Sequence, residues 1–512
     1  MFIPSPPHLA VAATFIVHPS TTTRAKTAEE KEAPSAALRL LRLTNALVGP
    51  ITARFDIAFA FTHFESSRQG NRRRREDESP GGYEVLDETK LLNLELGQSS
   101  AVWSRAEDFW HAVGWAFNTS VLHPERWECW QLWLEFMCEV LENDWAERGK
   151  QLERENGEAG DGEKQQEKRQ RWILEQSLIF GYIQGSSAGY GRDRRILRAI
   201  FADGTSSSVN EFREVFRNEL KPLKRDQENN IKKREAEVNI DEEQYGDYLT
   251  KDEDEDEEDA VARESNNNTP STSERRPKRT RRGTKADQPA TTTPATTASS
   301  ALHYAHGVFS LLGGLPSLSL RQRLLHLLSA VSEALPQSFL PLDELYHLFV
   351  ENIRHLPLPI YQSFISPHAS TYFSPAAQTI LCESLLYRLR ESIAAPEAED
   401  ERNLLNQSKL QRCYLPYAAS TASVVDNTRI SMALEALLAM LADSDLLRIT
   451  EKLREAVLEG IEARAEKAQE EVRRNQVSRE AESMEWSWLL ESGDRLLFMM
   501  NELLPHMQGQ TS

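Results

Sequence analysis

The sequence is poor in cysteine: four in 512 residues, at positions 129, 138, 382 and 413. No two have the C-x-x-C spacing of a zinc or redox motif, and four in so long a chain make no disulfide framework. A reducing compartment fits this usage. Cys129 and Cys138 read as small core residues, as free cysteine usually is. Long apolar runs are also missing. No stretch reaches the about 18–20 residues that cross a bilayer, so no membrane is expected among the partners, and the sequons at Asn118 and Asn267 are expected to stay bare. The apolar patch near the start, MFIPSPPHLAVAATFIVHPS, has no basic residue before it, unlike a secretory signal. The first acid is Glu29, after Arg24 and Lys26, a pattern shared with organelle transit peptides.

Segments of period-two alternation rich in β-branched residues are almost absent, which argues against a sheet. The catalytic motifs that spacing can reveal are lacking too. There is no H-E-x-x-H. The glycine-rich GYIQGSSAGYGR lacks the lysine of a phosphate loop. The D-x-D-x-D at Asp252, Asp254 and Asp256 continues into Glu257 where a calcium loop needs glycine. His303, His306, His326 and His347 fall on apolar helical segments and read as core or surface histidines. No cofactor and no metal site is expected.

One match survives on paper. Residues 185–189, GSSAG, fit G-x-S-x-G with Ser187 as nucleophile. An elbow needs a strand before it and a helix after, within a parallel sheet. LIFGYI could supply one strand, but the remaining chain reads as helix. A serine hydrolase using Ser187 is therefore the last of three readings, and the segment reads as a Gly/Ser loop.

What the chain does have is tryptophan, unevenly placed. Four of its ten stand between Arg126 and Trp145. Trp127, Trp130, Leu134, Met137 and Leu141 make a helical stripe, which Trp133, Phe136 and Val140 widen. A helix apolar over so broad a face is buried on more than one side. Each large ring adds on the order of 150–250 Å² of burial. Trp127, Trp130 and Trp133 are thus expected in a first core, with a minority of tryptophans left as partner anchors.

The expected fold is all-α: two helical blocks, of irregular helix-hairpin or solenoid-like kind, joined by a long disordered charged linker. Residues 1–34 read as a disordered lead, 35–64 as a short helical segment broken at Gly49-Pro50, and 65–84 as a charged loop. Residues 85–223 form the tryptophan-rich block. It holds one amphipathic helix over 100–120, a second from Pro124, a polar stretch over 150–170, and three shorter helices, RWILEQSLIFGYI, DRRILRAIFA and VNEFREVFRNELK. Residues 224–300 are the linker, too polar to offset chain entropy. Residues 301–505 form the second block, with a long charged helix from about Leu446 to Glu480. Its apolar seam of Leu453, Val457 and Ile461 is short for a coiled coil.

Charge is strongly segregated. The formal net charge is −19, yet residues 241–260 alone carry −11 and residues 271–285 carry +6. Arg275, Arg276, Lys278, Arg279, Arg281 and Arg282 form a two-part basic cluster of the kind import receptors read. A second run, Arg72–Arg75, lies in the charged loop. No aromatic residue interleaves with either, and no zinc-finger or RNA-recognition signature appears. The expectation is a non-enzymatic nuclear scaffold or adaptor in a chromatin, DNA-repair or RNA-maturation complex. Its expected partners are other proteins and an import receptor. The alternative is a helical subunit that binds nucleic acid through the basic linker. Cytoplasm and mitochondrion are the alternative locations.

Overall fold

A computed structural model describes residues 3–62, 95–97, 99–158, 163–186, 191–217, 219–220, 312–367, 372–390, 405–474 and 479–503. The linker and the charged loop lie outside them. Among the described residues there is no strand, and one isolated bridge pairs Arg390 with Ala419. The fold is all-α, as the periodicity predicts.

The first surprise is the N-terminus. In place of a disordered lead, Pro6–Val17 is a helix (α1) and Ala28–Leu47 another (α2). α1 places Leu9, Ala13, Ile16 and Val17 in the main core. Thr27 caps α2 and Glu30 returns the bond, a reciprocal capping box that satisfies two end N–H groups. Gly49, at φ +85°, ends this segment where a side chain would be strained. The short helix Phe55–Ala58 (α3) follows.

The expected helix over 100–120 is two helices, Val102–Arg105 (α4) and Phe109–Leu122 (α5). Asp108 makes the break: its carboxylate accepts the His111 N–H at 2.8 Å and caps α5. The tryptophan helix α6 runs Pro124–Glu158, with proline in its first turn. It continues into the expected polar stretch as far as Glu158, and α7 is Glu163–Glu175. Ser177 then caps α8, Leu178–Gln184, so RWILEQSLIFGYI is split between α7 and α8. α9 is Arg192–Ile200 and α10 is Ser206–Glu211. Past Glu211 the expected helix gives way to irregular chain, because Phe212, Val215, Phe216 and Glu219 all turn into the core.

After residue 311 come α11, Gly314–Ala334, α12, Leu342–Ile353, α13, Leu358–Ile365, and α14, Pro375–Leu389, capped by Ser374 as its sequence predicts. α15 is Gln407–Cys413 and α16 is Val424–Asp443. The expected long charged helix is α17, Glu451–Arg474, and a separate α18, Arg479–Phe498, follows it. α16 is the centre of this region and packs on α13, α14, α17 and α18.

Residues on both sides of 221–311 share one continuous core. α11 packs against α5 and α6, and α12 against α9. Arg321 on α11 is fully buried and donates to Ile200 O and to Ala202 O at 2.8 Å, satisfying carbonyls at the end of α9. Its guanidinium lies 4.0 Å from the Phe117 ring centroid. Arg323 forks onto Glu142 of α6 at 2.7 and 2.6 Å. The two halves of the sequence therefore form one body.

Candidate partner-docking surfaces

Trp127, Trp130 and Trp133 are all buried. Trp130 and Trp133 meet edge to face at 5.5 Å, a favoured geometry for aromatic pairs. Their neighbours include Trp103, Phe109 and Phe216. Buried indole N–H groups usually find an acceptor; that of Trp133 has none among the described residues. Trp130 donates to Glu219 at 2.6 Å and Trp115 to the same carboxylate at 3.1 Å. Glu219 also accepts Arg126 Nε at 2.7 Å and the Phe216 N–H at 3.3 Å. Arg126 reaches on to Val17 O at 2.6 Å and Thr22 Oγ1 at 2.8 Å, tying down the end of α1. These tryptophans are architecture. The exposed one is Trp172 on α7, at 61%.

The import residues Arg275, Arg276, Lys278, Arg279, Arg281 and Arg282 lie outside the described residues, as does Ser187. The segment before Ser187 is the helix α8, not the strand a nucleophile elbow requires. Asn118 is fully buried, where its carbonyl accepts the Gly204 N–H at 3.0 Å and Ser208 Oγ at 2.7 Å, so no glycan fits there. Cys138 and Cys382 are buried, and burial pushes both thiols up to about 12. They act as small hydrophobes. His326 is partly buried, and desolvation lowers its basicity. Among the described residues, no group of three His, Cys, Asp or Glu side chains is placed to hold a metal ion, and no helix is long and apolar enough to cross a membrane.

Two cavities on the body have largely apolar or aromatic walls. The first, about 250 Å³, lies between the end of α13, the α16 face and the end of α18. Met432, Ala436 and Ala439 line it along α16, Ile365 and Phe498 line it from the flanks, and the Glu435–Arg495 ion pair at 2.9 Å borders it. The second, about 320 Å³, is bounded by α3, the α4–α5 junction and the α7–α8 corner. Phe61, Phe109 and Tyr182 give it aromatic walls, and four carboxylates complete it. Neither cavity has the nucleophile–base pair of a hydrolase. The sequence missed both, because each is assembled from helices far apart in the chain.

No family model matches the sequence, and no curated protein and no solved structure matches it either.

Proposed function

We propose that the chain is a non-enzymatic nuclear scaffold or adaptor that docks protein partners within a chromatin, DNA-repair or RNA-maturation complex. The observation that carries this reading is the use the body makes of its polar chemistry. Three deeply buried charged groups, Arg126, Glu219 and Arg321, are engaged by the chain's own backbone and side chains. Two of its cavities have apolar or aromatic walls, as protein-interaction sites do. The nuclear part of the reading rests on the basic cluster at 275–282.

The test is localisation of the tagged full chain against a variant with Arg275, Arg276, Lys278, Arg279, Arg281 and Arg282 changed to alanine. Nuclear wild type with a cytoplasmic variant supports import through this cluster. Both proteins in the cytoplasm, or both in mitochondria, contradict a nuclear scaffold.

A second reading, a nucleic-acid-binding subunit, is favoured by the +6 charge of residues 271–285. It requires an affinity that falls steeply with salt and is lost when 274–285 are deleted.

A further inference from the structure

We infer that the cavity at the α7–α8 corner is a docking site for an arginine side chain presented by a basic segment of a partner protein. This deepens the docking reading above and rests on it. Three features of the cavity converge on that occupant.

The first is charge. Asp56, Glu107, Asp108 and Glu175 all line the cavity, and no lysine, arginine or histidine does. Asp56 and Glu107 are half exposed, at 52% and 51%. Each carboxylate has a cation behind it: Arg54 at 3.7 Å from Asp56, Arg195 at 3.3 Å from Glu107, and Arg171 at 2.7 Å from Glu175. None of these arginines lines the cavity. Glu175 also accepts Ser338 Oγ at 2.6 Å; a carboxylate offers about four acceptor sites, so Asp56 and Glu107 keep capacity for a second donor. Asp108 is different: it is buried, capping α5 and holding Arg195 at 2.5 Å, and belongs to the frame.

The second is the aromatic wall. Phe109 and Tyr182 stack at 4.4 Å with planes 13° apart, while Phe61 stands edge-on to them at 6.3 and 5.7 Å. Phe109 and Tyr182 are buried and Phe61 is only partly so, which makes Phe61 the ring on which a planar, weakly hydrated guanidinium can stack. The Tyr182 hydroxyl already donates to Phe59 O at 3.0 Å, so the ring contributes its apolar body.

The third is size and access. About 320 Å³ is at the small end of ligand sites, enough for a side chain rather than a folded element. Gly181 lines it with no heavy atom within 4 Å of where its Cβ would stand.

The experiment uses the full chain and a labelled nonapeptide of alanine and glycine with one central arginine, read by fluorescence anisotropy. The control peptide carries citrulline, which keeps the shape and removes the charge. The variants are Asp56→Asn with Glu107→Gln, and separately Phe61→Ala, each checked for unchanged helix content and melting temperature. The inference predicts saturable binding that weakens at least about fivefold with citrulline and in both variants. Equal binding of the two peptides, or variants that bind as wild type, overturns it. Arg72–Arg75 stands eleven residues beyond Phe61, so the same titration is run on a chain lacking 65–84. Binding only by that shortened chain means the chain's own arginines fill the cavity and overturns the partner reading. Binding by neither chain overturns it as well. The localisation test is independent of the cavity, so a nuclear protein that ignores the peptide keeps the scaffold and loses this site.

Discussion

Arg126 Nε donates to Glu219 Oε1 at 2.7 Å across 93 residues of sequence, with both side chains almost wholly buried. This pair joins the end of α1, the start of α6 and the chain just before residue 221. Breaking one partner strands the other charge in the core, at a cost of about 3–5 kcal/mol. Glu219→Ala also leaves the Trp115 and Trp130 indoles without an acceptor. Urea unfolding of Glu219→Ala, Arg126→Met and the double variant measures this. The double variant is expected to lose less than the sum of the two singles; an additive double would mean the pair is not coupled.

Two glycines predict opposite signs. On α17, a Cβ at Gly460 would stand 1.8 Å from Leu415 O, so Gly460→Ala forces α17 off its neighbour. The expected loss is about 1–3 kcal/mol. On α6, Gly149 has open space within 4 Å, and Gly149→Ala is expected to stabilise by about 0.8–1 kcal/mol through helix propensity alone. Thermal melts of the two variants separate the cases. A neutral Gly460→Ala would contradict the packing of α17.

His111 sets a pH dependence. Its Nδ1 lies 3.1 Å from the Glu107 backbone N–H and its Nε2 3.1 Å from Arg213 O, so the neutral ring satisfies both neighbours. Burial lowers its basicity below the ordinary 6.5, outweighing the opposing pull of Glu107 and Asp108. The folded state then binds fewer protons than the unfolded one as pH falls through 6.5. Stability contributed by neutral His111 is present above that pH and is lost below it. Unfolding free energy is expected to drop between pH 7 and 5, and His111→Gln to flatten that slope. His326, lowered by burial as well, supplies part of the remainder. A slope unchanged in His111→Gln would contradict this assignment.

The thiols give a simple check on burial. Cys138, Cys382 and Cys413 are buried, and burial raises the half-buried Cys129 thiol too. An aromatic disulfide reagent at pH 8 is expected to label the native chain slowly and all four thiols at once in denaturant. Rapid labelling of two or more native thiols would contradict the core.

Residue patterns made much of this legible. The stripe from Trp127 to Leu141 places α6 and its burial correctly, because large apolar side chains at steps of three and four leave one packing solution. Pro124 and Ser374-Pro375 mark real helix starts. The errors have local causes. Residues 1–34 look like a lead because they are proline-rich and residues 1–23 carry no Asp, Glu, Lys or Arg, yet the stretch Thr27 to Glu30 carries the capping-box spacing that announces α2. The break at Asp108 is a capping signal hidden inside an apolar repeat. The chain after Glu211 shows helical spacing, but burying Glu219 beneath Arg126 outweighs propensity. The cavity at the α7–α8 corner has no sequence signature at all. Phe61, Glu107 and Tyr182 are separated by long intervals and meet only through the packing of α3, α5 and α8.

The sharing of one core by both halves is the central claim of the fold, since Arg321 and Arg323 of the second half bond to α9 and α6 of the first. A site-specific protease sequence inserted after Asn267 lets the chain be cut once, between the halves. After cleavage under native conditions, the two fragments are expected to co-elute in size-exclusion chromatography and to melt in one transition near that of the intact chain. Arg321→Met, which removes the donor to Ile200 and Ala202, is expected to weaken that association. Fragments that separate, each with its own folded signal and melting temperature, would contradict the shared core.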